Sequence, residues 1–211
     1  MKYSAVIFDL DGVICHTDNY HYLAWKQIAD DLSICFDEKI NNRLRGVSRM
    51  DSLDIILETY NGTLTDQEKR MYAEKKNIIY RSLLEEMSPT DLSDDVRKTL
   101  VELQERGYKL AVGSSSKNAK LILNKLGLGD FFDAISDGTN VTRSKPDPEV
   151  FICASEYVKV KPEKCIVVED AKAGIEAAIA ANMDSAAIGD ATLSGMATHN
   201  LKCLSDLLVI L

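Results

Sequence analysis

The 211-residue chain has no strongly basic stretch: 33 acidic residues against 25 Lys and Arg give a formal net charge of −8. A nucleic-acid backbone needs a basic face, so it is disfavoured as a ligand. Small anions remain open, because a few local cations suffice for them. There is no CxxC, and the five cysteines (Cys15, Cys35, Cys153, Cys165 and Cys203) are odd in number and scattered. They read as free thiols in a reducing compartment. No apolar run approaches the ~20 residues of a membrane span. The opening MKYSAVIF runs straight into a strand pattern and is too short for a signal peptide. Internal repeats and low-complexity tracts are missing as well. A cytoplasmic, soluble protein without membrane or nucleic-acid partners is the expectation. What is present is 45% apolar residues, enough for a real core.

Short β-like runs alternate with helical patterns, which predicts a parallel sheet with helices on both faces. The strands are expected at Ser4–Phe8, Lys109–Gly113, Ala134–Ser136, Cys165–Val168 and Ser185–Ile188. Ala119, Ile122, Leu123 and Leu126 follow helical spacing between two of them. The alternation fails from about Cys15 to Met87. There Trp25, Ile28, Ala29 and Leu32 mark one helix, and Leu53, Ile56, Leu57 and Tyr60 another. Thr65 with Glu68 forms a capping-box pattern that opens a third. The expected architecture is therefore an α/β core, residues 1–15 and 89–211, interrupted after its first strand by a helical-bundle cap, residues 16–88.

Ligands of open parallel sheets bind beyond the carboxyl ends of the strands. The first strand ends in Asp9 and Asp11, and CIVVED ends in Glu169 and Asp170. If both ends face one crevice, four carboxylates meet. Like charges at ~4 Å repel by ~4 kcal/mol at an effective dielectric near 20, so they must protonate, separate or hold a cation. Oxygen ligands with no His or Cys nearby favour Mg²⁺ over zinc. Two other strand ends agree: Ser114 closes LAVGS, and Lys145 lies in RSKPDP. A hydroxyl and an ammonium are the groups that hold a transferring phosphoryl group. Each residue alone is ordinary, since DxD is common in turns and Ser114 or Lys145 could be plain loop residues. Their coincidence at successive strand ends is the signal.

FDLDGV, the GSSS serine, SKPDP and VVEDAKAGI together resemble the four motifs of the haloacid dehalogenase superfamily, and the helical insert resembles its helical cap class. The resemblance implies a Rossmann-like core and Mg²⁺ as cofactor. It implies that Asp9 is the nucleophile that becomes an aspartyl phosphate and that Asp11 is the general acid and base. Asp9, the Asp11 carbonyl, Glu169 and Asp170 would hold the metal, with Ser114 and Lys145 on the transferring phosphate.

Two stretches suggest a second anion site. In RGVSRMDSL, Ser48 reads as an N-cap with Arg49 in the first turn; in GSSSKNAK, Ser116 reads as an N-cap with Lys117 and Asn118 following. Free helix amides beside a cation bind anions well. With DNYHYLAW and KKN, these stretches resemble the β-phosphoglucomutases within that superfamily. This closer resemblance implies interconversion of β-D-glucose 1-phosphate and glucose 6-phosphate through β-glucose 1,6-bisphosphate; a monomer is the default expectation for oligomeric state. Arg49, Ser116, Lys117 and Asn118 would hold the distal phosphate, while Ser52 and Lys76 would face the sugar. His21 would couple substrate binding to cap closure, and Thr17 would sit at the hinge. The alternative is a Mg²⁺-dependent sugar-phosphate phosphatase on the same scaffold. His21 could equally be a core histidine, and Lys76 a snorkelling one. Two positions depart from the family pattern: His16 where an acid is usual, and Ala171 where a serine is common.

Overall fold

The computed structural model describes residues 2–211. The first strand, β1 (Ala5–Phe8), is followed by four helices, α1 (Asp18–Asp31), α2 (Glu38–Asn42), α3 (Arg49–Leu57) and α4 (Asp66–Leu84). Then come α5 (Asp94–Glu105), β2 (Lys109–Gly113), α6 (Ala119–Lys125), β3 (Ala134–Ser136) and α7 (Glu149–Tyr157). The chain continues through β4 (Cys165–Glu169), α8 (Lys172–Ala180), β5 (Asp184–Ala187), β6 (His199–Asn200) and α9 (Leu207–Ile210). The six strands form one parallel sheet in the order β3-β2-β1-β4-β5-β6. This is the α/β fold with a helical insert that the sequence predicts. The two-residue strand β6 went unpredicted: HN carries no apolar signal and pairs only because β5 offers an open edge.

Strand β1 sits in the middle, in register with β2 and β4. All four of its residues are buried, and its faces alternate. Val6 and Phe8 pack with Leu100, Leu103 and Ile122 on one side, and Ala5 and Ile7 with Phe151 and Ala178 on the other. A strand covered on both faces reads as a continuous apolar run rather than an alternating one.

The insert has a core of its own: Trp25, Ile28, Ala29, Leu53, Ile56 and Ala73 pack together. Its helices start where the sequence signals them. Ser48 accepts a hydrogen bond from the Asp51 amide at the start of α3. Thr65 and Glu68 form a complete capping box at α4, each side chain accepting from the other's amide. The far end of α4 does not belong to the insert's core, because Tyr80 and Leu84 pack into the sheet's cluster. Helix α4 thus anchors the insert to the sheet that it interrupts. Tyr60, expected on the second insert helix, lies beyond the end of α3.

Candidate active site

A cavity of about 1000 Å³ opens between the carboxyl ends of the strands and the helical insert. Asp9, Asp11, Ser114 and Asp170 line it from the sheet side. His21, Arg49, Ser52 and Lys76 line it from the insert, and Ser116, Lys117 and Asn118 from the loop after β2. The topology makes this possible: β1, β2 and β4 are neighbours, so parallel pairing brings their final residues to one edge.

The acid end is buried and tightly bonded. Lys145, 2% exposed, donates to Asp9 Oδ1 and to Glu169 Oε1, the latter at 2.5 Å. Glu169 also accepts from the Ala171 amide at 2.8 Å. Lys145 and Glu169 lie beneath the cavity floor rather than on its wall. Glycines allow this crowding. Gly12, with φ 89°, leaves the space that the Asp170 carboxylate fills, and a side chain at Gly174 would strike the Glu169 carboxylate. Burial raises Asp9 well above the usual carboxylate range; Lys145 opposes the shift, while Glu169 and Asp170 add to it. Asp170 is pushed up to about 8, by burial first and then by Glu169. Burial acts against the Lys145 charge, but the attraction of Asp9 and Glu169 outweighs it and raises its pKa.

One ammonium thus serves two of three crowded acids, and their oxygen-only donor set fits a hard divalent cation. Among the described residues, no three His, Cys, Asp or Glu side chains are gathered into a cage of their own. Such a cage is not required for Mg²⁺, which keeps several waters and is held by one or two carboxylates plus phosphate oxygens.

Around Asp11 the insert contributes most of the partners. Thr17, fully buried, donates to Asp11 Oδ1 and accepts from the Tyr80 hydroxyl at 3.0 Å. His21 Nε2 lies 3.9 Å from Asp11 Oδ2, and its Nδ1 accepts from Lys76 at 2.8 Å. The His21 ring stacks on Tyr80 with centroids 4.1 Å apart. Burial pushes Asp11 up to about 6, against the Thr17 hydrogen bond. Lys76 is only 3% exposed, so it does not snorkel. Burial, then Arg49, lowers it to about 7, and its ammonium rests over the Tyr80 and Trp25 rings. Burial first, then Lys76 and Arg49, lowers His21 well below its ordinary value, which keeps the imidazole neutral.

At the cationic end, Arg49 donates to Asn77 Oδ1 at 2.8 Å, and Asn118 Nδ2 donates to the same oxygen at 3.0 Å. Ser52 is buried, and Lys117 is exposed on the rim. The expected N-cap at Ser116 is corrected: α6 starts at Ala119 and Asn118 is its N-cap. Ser116 Oγ accepts from the Asn118 amide two residues on, so the segment forms a turn and Lys117 precedes the helix. The Ser114 hydroxyl accepts from the Ser116 amide at 3.2 Å, which ties this loop to the acid end.

Sequence reasoning missed Tyr80 and Asn77. Tyr80 stands four residues after Lys76 on one helix face, a spacing that could have marked it. Further hydrogen bonds join insert and core, among them Ser115 to the Gly46 carbonyl at 2.9 Å, Ser144 to Asp51 at 2.8 Å, and Arg45 to Asp190 at 2.9 Å. His16 is exposed on the surface, and Ala171 is the N-cap of α8, with a methyl that cannot make a capping hydrogen bond.

A family model described as haloacid dehalogenase-like hydrolase matches residues 6–188. The β-phosphoglucomutase of Bacillus subtilis (strain 168) is 42% identical over 188 residues, which are 88% of this chain and 83% of that protein. A phosphorylated carbohydrates phosphatase of Thermotoga maritima is 33% identical over 85% of this chain and 82% of its own length. The crystal structure of a Clostridium difficile β-phosphoglucomutase superposes with a TM-score of 0.92 at 39% identity, over 97% of this chain and 93% of that one.

Proposed function

The chain belongs to the haloacid dehalogenase-like hydrolase family, and from that premise we propose that it is a β-phosphoglucomutase. It interconverts β-D-glucose 1-phosphate and glucose 6-phosphate. The observation that supports this reading is one cavity with two distinct ends: Asp9, Asp11 and Ser114 on the sheet side, with Lys145 bonded to Asp9 from beneath, and Arg49, Lys117 and Asn118 on the opposite rim. A hydrolase needs one phosphate site, whereas a mutase that works through a bisphosphate needs two.

In this reading the Asp9 carboxylate attacks phosphorus and becomes an aspartyl phosphate. Asp11 gives its proton to the leaving sugar oxygen, and in the reverse sense takes the proton of the attacking hydroxyl. A carboxyl with a pKa of about 6 suits both directions near neutral pH. Lys145 and Ser114 steady the moving phosphoryl oxygens. Arg49, Ser116, Lys117 and Asn118 hold the other phosphate, and Lys76 and Ser52 meet the sugar between them. Once formed, β-glucose 1,6-bisphosphate turns over and presents its other phosphate to Asp9. Asp9, the Asp11 carbonyl and Asp170, with Glu169 behind them, would hold Mg²⁺. The ion would offset the negative charge that builds up on the phosphoryl group.

The cap, taken as residues 16–88, closes over the site and excludes water, the competing nucleophile. Thr17 and His21 carry its position to Asp11, with Thr17 at the hinge. Among the described residues, no helix is long and apolar enough to cross a membrane. The enzyme is assigned to the cytoplasm as a monomer acting on phosphosugars.

The 33% identity to a carbohydrate phosphatase keeps hydrolysis as the second reading. Supplying β-glucose 1-phosphate with a trace of the bisphosphate decides between them. Glucose 6-phosphate accumulates if the mutase reading holds, and free phosphate accumulates if the hydrolase reading does.

A further inference from the structure

Arg45 stands where three parts of the chain meet. It lies in the segment between α2 and α3 and lines the cavity. Its Nη1 donates to Asp190 Oδ2 at 2.9 Å, in the short 3₁₀ turn after β5. Its Nη2 donates to Asp18 Oδ2, also at 2.9 Å, in the first turn of α1. One arm therefore reaches the core and the other the hinge end of the insert.

The hinge end has reason to depend on that contact. Thr17 is the N-cap residue of α1 but makes no capping hydrogen bond. Its hydroxyl is turned to Asp11 instead. With the side-chain cap missing, Asp18 is the acid at the positive end of the α1 dipole. The carboxylate that steadies the start of α1 is the one that Arg45 holds.

We propose that Arg45 is a positioning residue that latches the cap onto the core and fixes the hinge turn presenting Thr17 to Asp11. The guanidinium pairs with both carboxylates only when the cap is seated, because Asp190 belongs to the core. Release from Asp190 leaves the segment tied to the core through the Ser115–Gly46 bond and loosens Asp18. Thr17 then holds Asp11 less firmly, and water gains access to the phosphoenzyme. Both ion pairs are partly exposed, so the effect falls on the partition between transfer and hydrolysis rather than on folding.

This inference rests on the mutase reading, and two readouts keep the two apart. The first is hydrogen exchange in the ligand-free full-length chain. Arg45→Ala and Asp190→Ala should each speed exchange at residues 17–21 and 189–194 by about threefold, and Arg45→Lys should restore most of the protection. Unchanged exchange in both segments overturns the latch, whatever reaction the enzyme catalyses. The second is the ratio of free phosphate to glucose 6-phosphate formed from β-glucose 1-phosphate with a trace of bisphosphate. R45A should raise it about threefold, R45K should return it toward the unaltered value, and R45A/D190A should exceed neither single change. An unchanged ratio in R45A, or single effects that multiply, overturns the latch. If the unaltered enzyme releases phosphate and makes no glucose 6-phosphate, the mutase reading falls, and exchange alone decides on Arg45.

Discussion

The acid end of the cavity and its cationic end differ in how many parts of the chain must cooperate to form them. Asp9, Glu169 and Asp170 sit at or just beyond the ends of adjacent parallel strands, and Lys145 bonds two of them from beneath. That end exists whenever the sheet does. The cationic end draws Arg49 from α3, Asn77 from α4 and Asn118 from the loop after β2, all meeting at one amide oxygen. It exists only while the insert is seated on the core. On the proposed mutase reading, the reacting groups sit on the sheet, where they are held rigidly, and recognition of the distal phosphate is divided between insert and core.

Substitutions can break this comparison, and the largest effects belong at the acid end. Asp9→Asn should abolish phosphoenzyme formation and lower mutase turnover by more than about 10⁴-fold. Asp11→Asn should cost ~10²–10⁴-fold. Both are read in the coupled glucose 6-phosphate assay, with phosphoenzyme trapped by acid quench. Retention of labelled phosphoenzyme in Asp9→Asn would move the nucleophile elsewhere. Next comes Lys145→Ala, which leaves Asp9 and Glu169 buried without their shared cation. Chemical denaturation without metal should show a loss of about 3–5 kcal/mol, and millimolar Mg²⁺ should recover part of it. An apo stability unchanged within error would show that the acids do not depend on Lys145.

At the cationic end the effects should be smaller and of another kind. Arg49→Ala should weaken substrate capture roughly 10- to 100-fold, the worth of a charge-assisted hydrogen bond. Release of phosphate from the preformed phosphoenzyme should change little, and equal losses in both steps would merge the two ends into one. Lys76 joins the ends and offers a test by pH. Its pKa is lowered by burial from an ordinary 10.5 to about 7. Between those values the unfolded chain holds a proton that the folded chain lacks, so this residue's contribution makes stability rise with pH across that window. Lys76→Met should flatten that rise in melting curves taken from pH 7 to 10. A Lys76→Met curve parallel to that of the unaltered protein would contradict the burial argument. The smallest effect expected is from Ser48→Ala, which removes the cap of α3. About 1 kcal/mol of stability should be lost, with turnover reduced only as far as Arg49 is disturbed.

Much of this was legible in the chain because it is local. A buried central strand reads as VIF, its carboxyl end as two acids around a small turn, and the capping boxes and N-caps at Thr65 and Ser48 lie within four residues of their partners. Where a rival local bond existed, local reading failed. Ser116 was expected to cap α6, but its hydroxyl serves a turn two residues on, and the helix starts later. Likewise, nothing in the spacing of Lys76 separates a snorkelling lysine from a buried one. The difference comes from Trp25 and Tyr80, which close over its ammonium from α1 and from the next turn of α4.

By itself the sequence determined the sheet, the inserted helices, and the four acids at two strand ends. Period and capping are properties of neighbours along the chain. Only the tertiary structure decided that Lys145 lies beneath Asp9 and Glu169, that Tyr80 bonds the Thr17 that bonds Asp11, and that Asn77 and Arg45 join insert to core. Apart from Thr17 with Asp11, those pairings span from 24 positions, for Lys145 with Glu169, to 145, for Arg45 with Asp190. Contacts at such separations depend on how two packed bodies meet, which is set by the shapes of their buried faces and not by any short run of residues.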